Sequence, residues 1–98
     1  MEVRITQAAE ENLGSIFSYH VEYSPDYAVD FQQKIVAFFM VNLSEHPLMG
    51  AVHNADTSVR RIIFGDYNIY YRVGDGLIDI LFILHSRLSL NEELHGRD

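Results

Sequence analysis

The apolar positions of the chain change period several times, and each change marks the border of an element. Val3 and Ile5 alternate with Glu2 and Arg4, the period-two pattern of a short strand. From Thr6 the spacing lengthens. Ala9, Leu13, Ile16, Phe17 and then His20 or Tyr23 recur three or four residues apart, which predicts an amphipathic helix through QAAEENLGSIFSYHVEY with Thr6 as its N-cap. Glu10 and Glu11 lie early, where the helix dipole favours acids. Gly14 falls in mid-helix at a cost of about 1 kcal/mol relative to alanine, so a close packing contact is expected there. Ser24-Pro25-Asp26 starts a second helix with a hydroxyl cap, a proline at the first helical position and an acid after it. Its inner face is predicted to carry Ala28, Phe31, Ile35, Phe38, Phe39 and Asn42, and it ends near Leu43 to His46 because Pro47 follows. Two helices with so short a link form an antiparallel hairpin, and the phenylalanines read as core.

Residues 47–58, PLMGAVHNADTS, show neither period and read as a loop, whereas VRRIIFGDYNIYYRVGDGLIDILFILHSR is β-rich throughout. The last residues, NEELHGRD, read as a loose tail or a frayed short helix. Asp75-Gly76 is a preferred two-residue type I′ hairpin turn, which pairs Gly74 with Leu77. Val73 then faces Ile78, Tyr71 faces Ile80, Ile69 faces Phe82 and Tyr67 faces Leu84, all on one apolar side. On the other side Arg72 faces Asp79, Tyr70 faces Leu81, Asn68 faces Ile83 and Asp66 faces His85. A slip of one residue sets Arg72 against Ile78 or Ile80 and mixes the faces. The predicted architecture is therefore α+β: an N-terminal strand and an antiparallel helical hairpin packed on one face of a small antiparallel β-sheet. Asn68, Tyr70, Arg72, Asp79, His85 and Arg87 would occupy the open face. The Arg72–Asp79 pair also has a purely structural reading, since facing opposite charges stabilise a sheet by about 0.2–1 kcal/mol.

The 98 residues fit one small domain, 1–98, and 48% of them are hydrophobic, enough for a packed interior. There are no cysteines, which excludes disulfides and thiolate metal sites. The N-terminus MEVRITQAAEE carries charges where a signal peptide needs an apolar run, and the apolar stretch Ile35 to Val41 is far too short to cross a bilayer. A cytoplasmic protein without membrane contact is expected. His46, His53 and Asp56 lie near one another, but their spacing matches no metal-ligand pattern, so exposed loop histidines are the simpler reading and neither metal nor cofactor is expected. The net charge is −7, and it is uneven: residues 1–59 hold eight acids and two bases, residues 60–98 six acids and five bases. Direct DNA binding by the chain alone is electrostatically disfavoured. Four of the seven bases, Arg60, Arg61, Arg72 and Arg87, cluster in the β-rich segment.

The order of elements, with EHPLMG from Glu45 to Gly50, the arginine-bearing VRRIIFG, then YYRVGDG and IDILFILHSR, resembles the RelE/ParE superfamily of bacterial toxins. The ParE branch is the nearer likeness, and the resemblance spans nearly the whole chain. It implies the toxin half of a type II toxin–antitoxin (plasmid stabilisation) pair, a hetero-oligomer with its antitoxin, and growth inhibition through protein contact, with DNA gyrase as the target. Arg61, Arg72, His85 and Arg87 would be target-binding residues, with Arg72 and Arg87 the interface anchors. Tyr19, Tyr23, Tyr27 and Leu90 would meet the antitoxin, whose tail folds on binding and is expected to be neutral or basic against this acidic chain.

The RelE branch implies a different activity, ribosome-dependent cleavage of messenger RNA, for which Arg61, His85 and Arg87 are the catalytic candidates. That branch carries an arginine where Asn68 stands here, and a neutral amide does not replace a fixed cation on phosphate. The lysine-rich docking surface is also missing, since Lys34 is the sole lysine. A third reading, suggested by the acidic composition, is a non-toxic binding module of the same fold.

Overall fold

Strand β1 (Glu2–Ile5) runs through Thr6 into helix α1 (Gln7–Val21), and Ser24 begins helix α2 (Pro25–Ala37). The computed structural model describes residues 1–88, so Leu90 and the tail NEELHGRD lie outside the described residues. Both predicted caps form: Thr6 Oγ1 accepts from the Ala9 N–H at 3.3 Å and Ser24 Oγ from the Tyr27 N–H at 3.2 Å. Thr6 does more, since its hydroxyl also donates to the Ile80 carbonyl at 2.7 Å and so pins the start of α1 to the sheet. Gly14 departs from expectation. It is exposed, and a Cβ there would meet nothing within 4 Å, so no close contact accounts for it.

Helix α2 passes into a π-helical segment, Phe38–Leu43. This wider winding keeps residues spaced by four on one face, so Ile35, Phe39 and Leu43 are buried while Asn42, expected inside, is exposed and Phe38 only half-buried. The remaining strands are β2 (Ala51–Asn54), β3 (Val59–Phe64), β4 (Tyr67–Gly74) and β5 (Leu77–His85). They form one sheet in the order β1-β5-β4-β3-β2, in which β1 is parallel to β5 and the other neighbours are antiparallel. The sheet is thus mixed, with a parallel edge strand added to the antiparallel part. β2 lies in the stretch read as a loop: all four residues are exposed on the sheet edge, so no inside–outside alternation marks them.

The turn between β4 and β5 is as predicted, with positive φ at both Asp75 (48°) and Gly76 (77°). The predicted register holds for Gly74–Leu77, Val73–Ile78, Arg72–Asp79 and Tyr71–Ile80, and then shifts by one. Beyond the shift Tyr70 faces Phe82, Ile69 faces Ile83, Asn68 faces Leu84 and Tyr67 faces His85. The extra residue on β5 is a β-bulge. Leu81 and Phe82 both pack with Val59, Tyr70 and Leu84 on the far side, and Ile83 takes the inward place foreseen for Phe82. Ala9, Leu13, Ile16, Phe31, Ile35, Phe39 and Leu43 from the helical layer meet Tyr67, Ile69, Tyr71, Ile78, Ile80 and Ile83 from the sheet in the main core.

Candidate functional site

The bulge decides where the chemically active side chains go. With the simple register His85 would share the open face with Arg72 and lie opposite Asp66; with one residue inserted it crosses to the helical face and meets Tyr67, ring centroids 5.5 Å apart. The α1 helix supports this shift. β1 has ended opposite Ile80, and Asn12 Oδ1 accepts the Ile83 N–H at 3.0 Å in its place.

Two surfaces result. The open face carries Arg61 and Arg72, both exposed, around a buried Tyr70 whose ring meets that of His53 at 5.1 Å. Arg72 does not pair with Asp79 although it faces it: its Nε donates to the Thr57 carbonyl at 2.9 Å, and Arg4 Nε holds Asp79 at 2.7 Å. Arg60, on the helical side of the sheet, is committed to structure, donating to the Gly50 carbonyl at 2.7 Å.

The second surface is a cleft of about 550 Å³ between α1, the start of α2 and the ends of β4 and β5. Its aromatic walls are Tyr19, His20, Tyr27, Phe31, Tyr67 and His85, and Arg87 and Asp66 bring charge to it. His20 is only 7% exposed and sits among Tyr27, Phe31 and Tyr67 at centroid distances of 5.0, 4.8 and 6.1 Å. Its Nε2 lies 3.4 Å from Tyr67 Oη, while its buried Nδ1 has no partner among the described residues. Burial pushes the Tyr67 phenol above its ordinary pKa, and the neighbouring Tyr19, Tyr27 and Asp66 add to the rise. At the mouth, the Arg87 N–H donates to His85 Nδ1 at 3.1 Å and Arg87 Nε approaches the same nitrogen at 3.4 Å.

The four residues expected to meet a target are therefore split, Arg61 and Arg72 on the open face, His85 and Arg87 in the cleft. There they join Tyr19 and Tyr27, two of the tyrosines expected to meet an antitoxin. Tyr23 stacks edge-on against Tyr19 at 5.3 Å and is 74% exposed.

The sequence profile described as ParE toxin of type II toxin-antitoxin system, parDE, matches residues 3–89. The chain belongs to the ParE toxin family. Among solved structures, this ParE-family toxin is similar to a chain of the chromosomal ParDE toxin–antitoxin system from P. aeruginosa, with a TM-score of 0.73, 22% identity, and coverage of 87% of this chain and 95% of that one. It is also similar to a chain of the toxin–antitoxin complex RelBE2 from Mycobacterium tuberculosis, with a TM-score of 0.66, 24% identity, and coverage of 86% and 95%. No curated protein matches the sequence. At these identities the two structures establish a shared fold. Among the described residues no helix of the toxin is long and apolar enough to cross a membrane.

Sequence reasoning missed the part that His20, Tyr67 and Asp66 play in this ParE cleft. His20 carried one signal, a titratable ring in an otherwise apolar helical stripe. Tyr67 carried none, since a tyrosine in a strand reads as core.

Proposed function

We propose that this ParE-family toxin acts in the cytoplasm by binding and trapping DNA gyrase, and that a cognate antitoxin neutralises it as a hetero-oligomer. The observation that carries this reading is the contact between Arg87 and His85. Two donors converge on His85 Nδ1, so the ring proton resides on Nε2 and the imidazole offers a hydrogen-bond donor, the wrong form for a general base. Asn68 is buried between Ile63 and Leu84, where it clamps no phosphate. The exposed groups that remain, Arg61, Arg72 and Arg87 beside aromatic rings, suit protein recognition. Tyr19, Tyr23 and Tyr27 offer the antitoxin a row of aromatic contacts on the helical hairpin, and the chain's −7 charge favours a neutral or basic antitoxin segment.

Expression of the toxin alone in bacteria tests the proposal through the topology of a reporter plasmid. Growth arrest with relaxed or cleaved plasmid, both reversed by the antitoxin, is expected. Growth arrest with plasmid supercoiling intact and transcripts cut would replace gyrase with the ribosome, and unimpaired growth would leave a non-toxic binding module.

A further inference from the structure

The turn between β2 and β3 is built around one side chain. Asn54 closes β2, and its Oδ1 accepts the Asp56 N–H at 2.9 Å and the Thr57 N–H at 3.2 Å. Asparagine does this because its short amide reaches the backbone just ahead of it and stands in for a main-chain carbonyl. Ser58 then takes a φ of 59°, in the left-handed region that serine seldom adopts. Such a conformation persists where its surroundings impose it, and it concentrates at sites with a task. Val59 follows, pairing with Asn54 on one side and with Arg72 on the other, so the three lie in one row across β2, β3 and β4. The turn thereby carries the Thr57 carbonyl to Arg72, whose Nε donates to it at 2.9 Å.

We propose that Asn54 is a positioning residue for the target contact of Arg72. Asn54 orders the turn, the turn presents the Thr57 carbonyl, and the carbonyl fixes the Arg72 guanidinium through its Nε–H. The inference rests on the docking role given above to Arg72, and adds what holds that side chain ready. The choice of acceptor matters. Asp79 faces Arg72 across the strands but is held by Arg4 Nε at 2.7 Å, so Arg72 is oriented by a neutral carbonyl, which leaves its charge uncompensated by that acid. Thr57 and Arg72 are both exposed, so their bond seals no core. Its value lies in binding: an arginine ordered beforehand loses less side-chain freedom when a partner meets it.

The test has two arms. In the first, NMR follows the Arg72 Nε–H in the free toxin. Wild type is expected to show a slowly exchanging signal with the order of the backbone, and Asn54→Ala to lose both properties. Asn54→Asp, whose carboxylate accepts the same two N–H groups, should restore them. Arg61, exposed on the same face, should be unchanged throughout. A mobile Arg72 in wild type, or an equally ordered one in Asn54→Ala, would overturn the proposal. The second arm measures inhibition of gyrase supercoiling by Asn54→Ala, Arg72→Ala and the double variant. Asn54→Ala is expected to weaken inhibition about fivefold, the loss of one preordered side chain, and to add nothing once Arg72 is alanine. An Asn54→Ala loss of the same size in both backgrounds would make Asn54 a structural residue of the turn and overturn the proposal, as would an Arg72→Ala variant as potent as wild type. Wild-type toxin that leaves gyrase untouched would remove gyrase as the target, while the first arm, which contains no gyrase, still upholds or overturns the ordering of Arg72 by Asn54.

Discussion

The backbone N–H of Gly50 donates to Tyr71 Oη at 2.9 Å, and this one bond closes the gap between the end of the helical layer and the centre of the sheet. Tyr71 is fully buried, and its hydroxyl finds its partner in the PLMG turn, while Arg60 holds the Gly50 carbonyl from the adjacent strand. The Pro-x-x-Gly segment is thus a clamp whose glycine permits close approach. A Cβ on Gly50 would sit 2.7 Å from Tyr71 Oη and 2.9 Å from the Arg61 carbonyl oxygen, one of them backbone that cannot swing away.

Gly50→Ala is therefore expected to destabilise the fold by about 1–3 kcal/mol, the usual cost of overpacking. Tyr71→Phe, which leaves the Gly50 N–H without its acceptor, should cost about 1–3 kcal/mol. Chemical denaturation of both variants checks the pair, and an unchanged midpoint for Gly50→Ala would contradict the clamp.

Gly14 gives the opposite expectation. It is exposed in the middle of α1, with open space where a Cβ would go. Gly14→Ala should stabilise the protein by about 0.5–1 kcal/mol by lowering the entropy of the unfolded chain and favouring the helix. A thermal melt settles the sign.

Asn12 supports the bulged strand from the helix. Removing its side-chain acceptor in Asn12→Ala leaves the Ile83 N–H unpaired in a partly buried place, at a cost of about 1–3 kcal/mol. Because Ile83 is two residues from His85, the variant should also perturb the His85 ring resonances, whereas Gly14→Ala should not. Unmoved His85 signals would argue against this coupling.

These contacts show what the sequence could and could not disclose. Local signals survived: the caps at Thr6 and Ser24 and the Asp75-Gly76 turn depend on neighbouring residues alone, and each formed as expected. The hairpin register also held near its turn, where alternation and turn geometry agree. It failed farther out because a run such as LIDILFILH is apolar on both faces, so an inserted residue leaves no mark in the pattern. The consequence for function is direct, since that insertion moved His85 from beside Arg72 to beside Tyr67. β2 escaped notice for the converse reason, being exposed along its whole length. Asn42 was placed inside because the spacing assumed an α-helix where the chain winds more widely.

Stability should fall on the alkaline side. Burial raises the phenol pKa values of Tyr67 and Tyr71 above the ordinary value; at Tyr71 the Gly50 N–H and Arg60 pull back against that rise. A raised folded-state pKa means that the folded protein holds the proton more tightly than the unfolded chain. The stabilisation is complete below the unfolded value of about 10 and is lost as the pH climbs through the folded value. Melting temperatures measured from neutral pH upward should decline beyond about pH 10, and less steeply in Tyr67→Phe. An equally steep decline in that variant would remove Tyr67 from the account.

Under the proposed docking on gyrase, inhibition by this ParE-family chain is stoichiometric and requires no turnover. The direct measurement is a titration of purified toxin against a fixed amount of gyrase, scored by DNA supercoiling. The account predicts that activity falls in proportion to toxin added and is abolished near stoichiometric binding, with Arg72→Ala and Arg87→Ala shifting the curve to higher toxin. Full supercoiling activity at a large excess of toxin would contradict it.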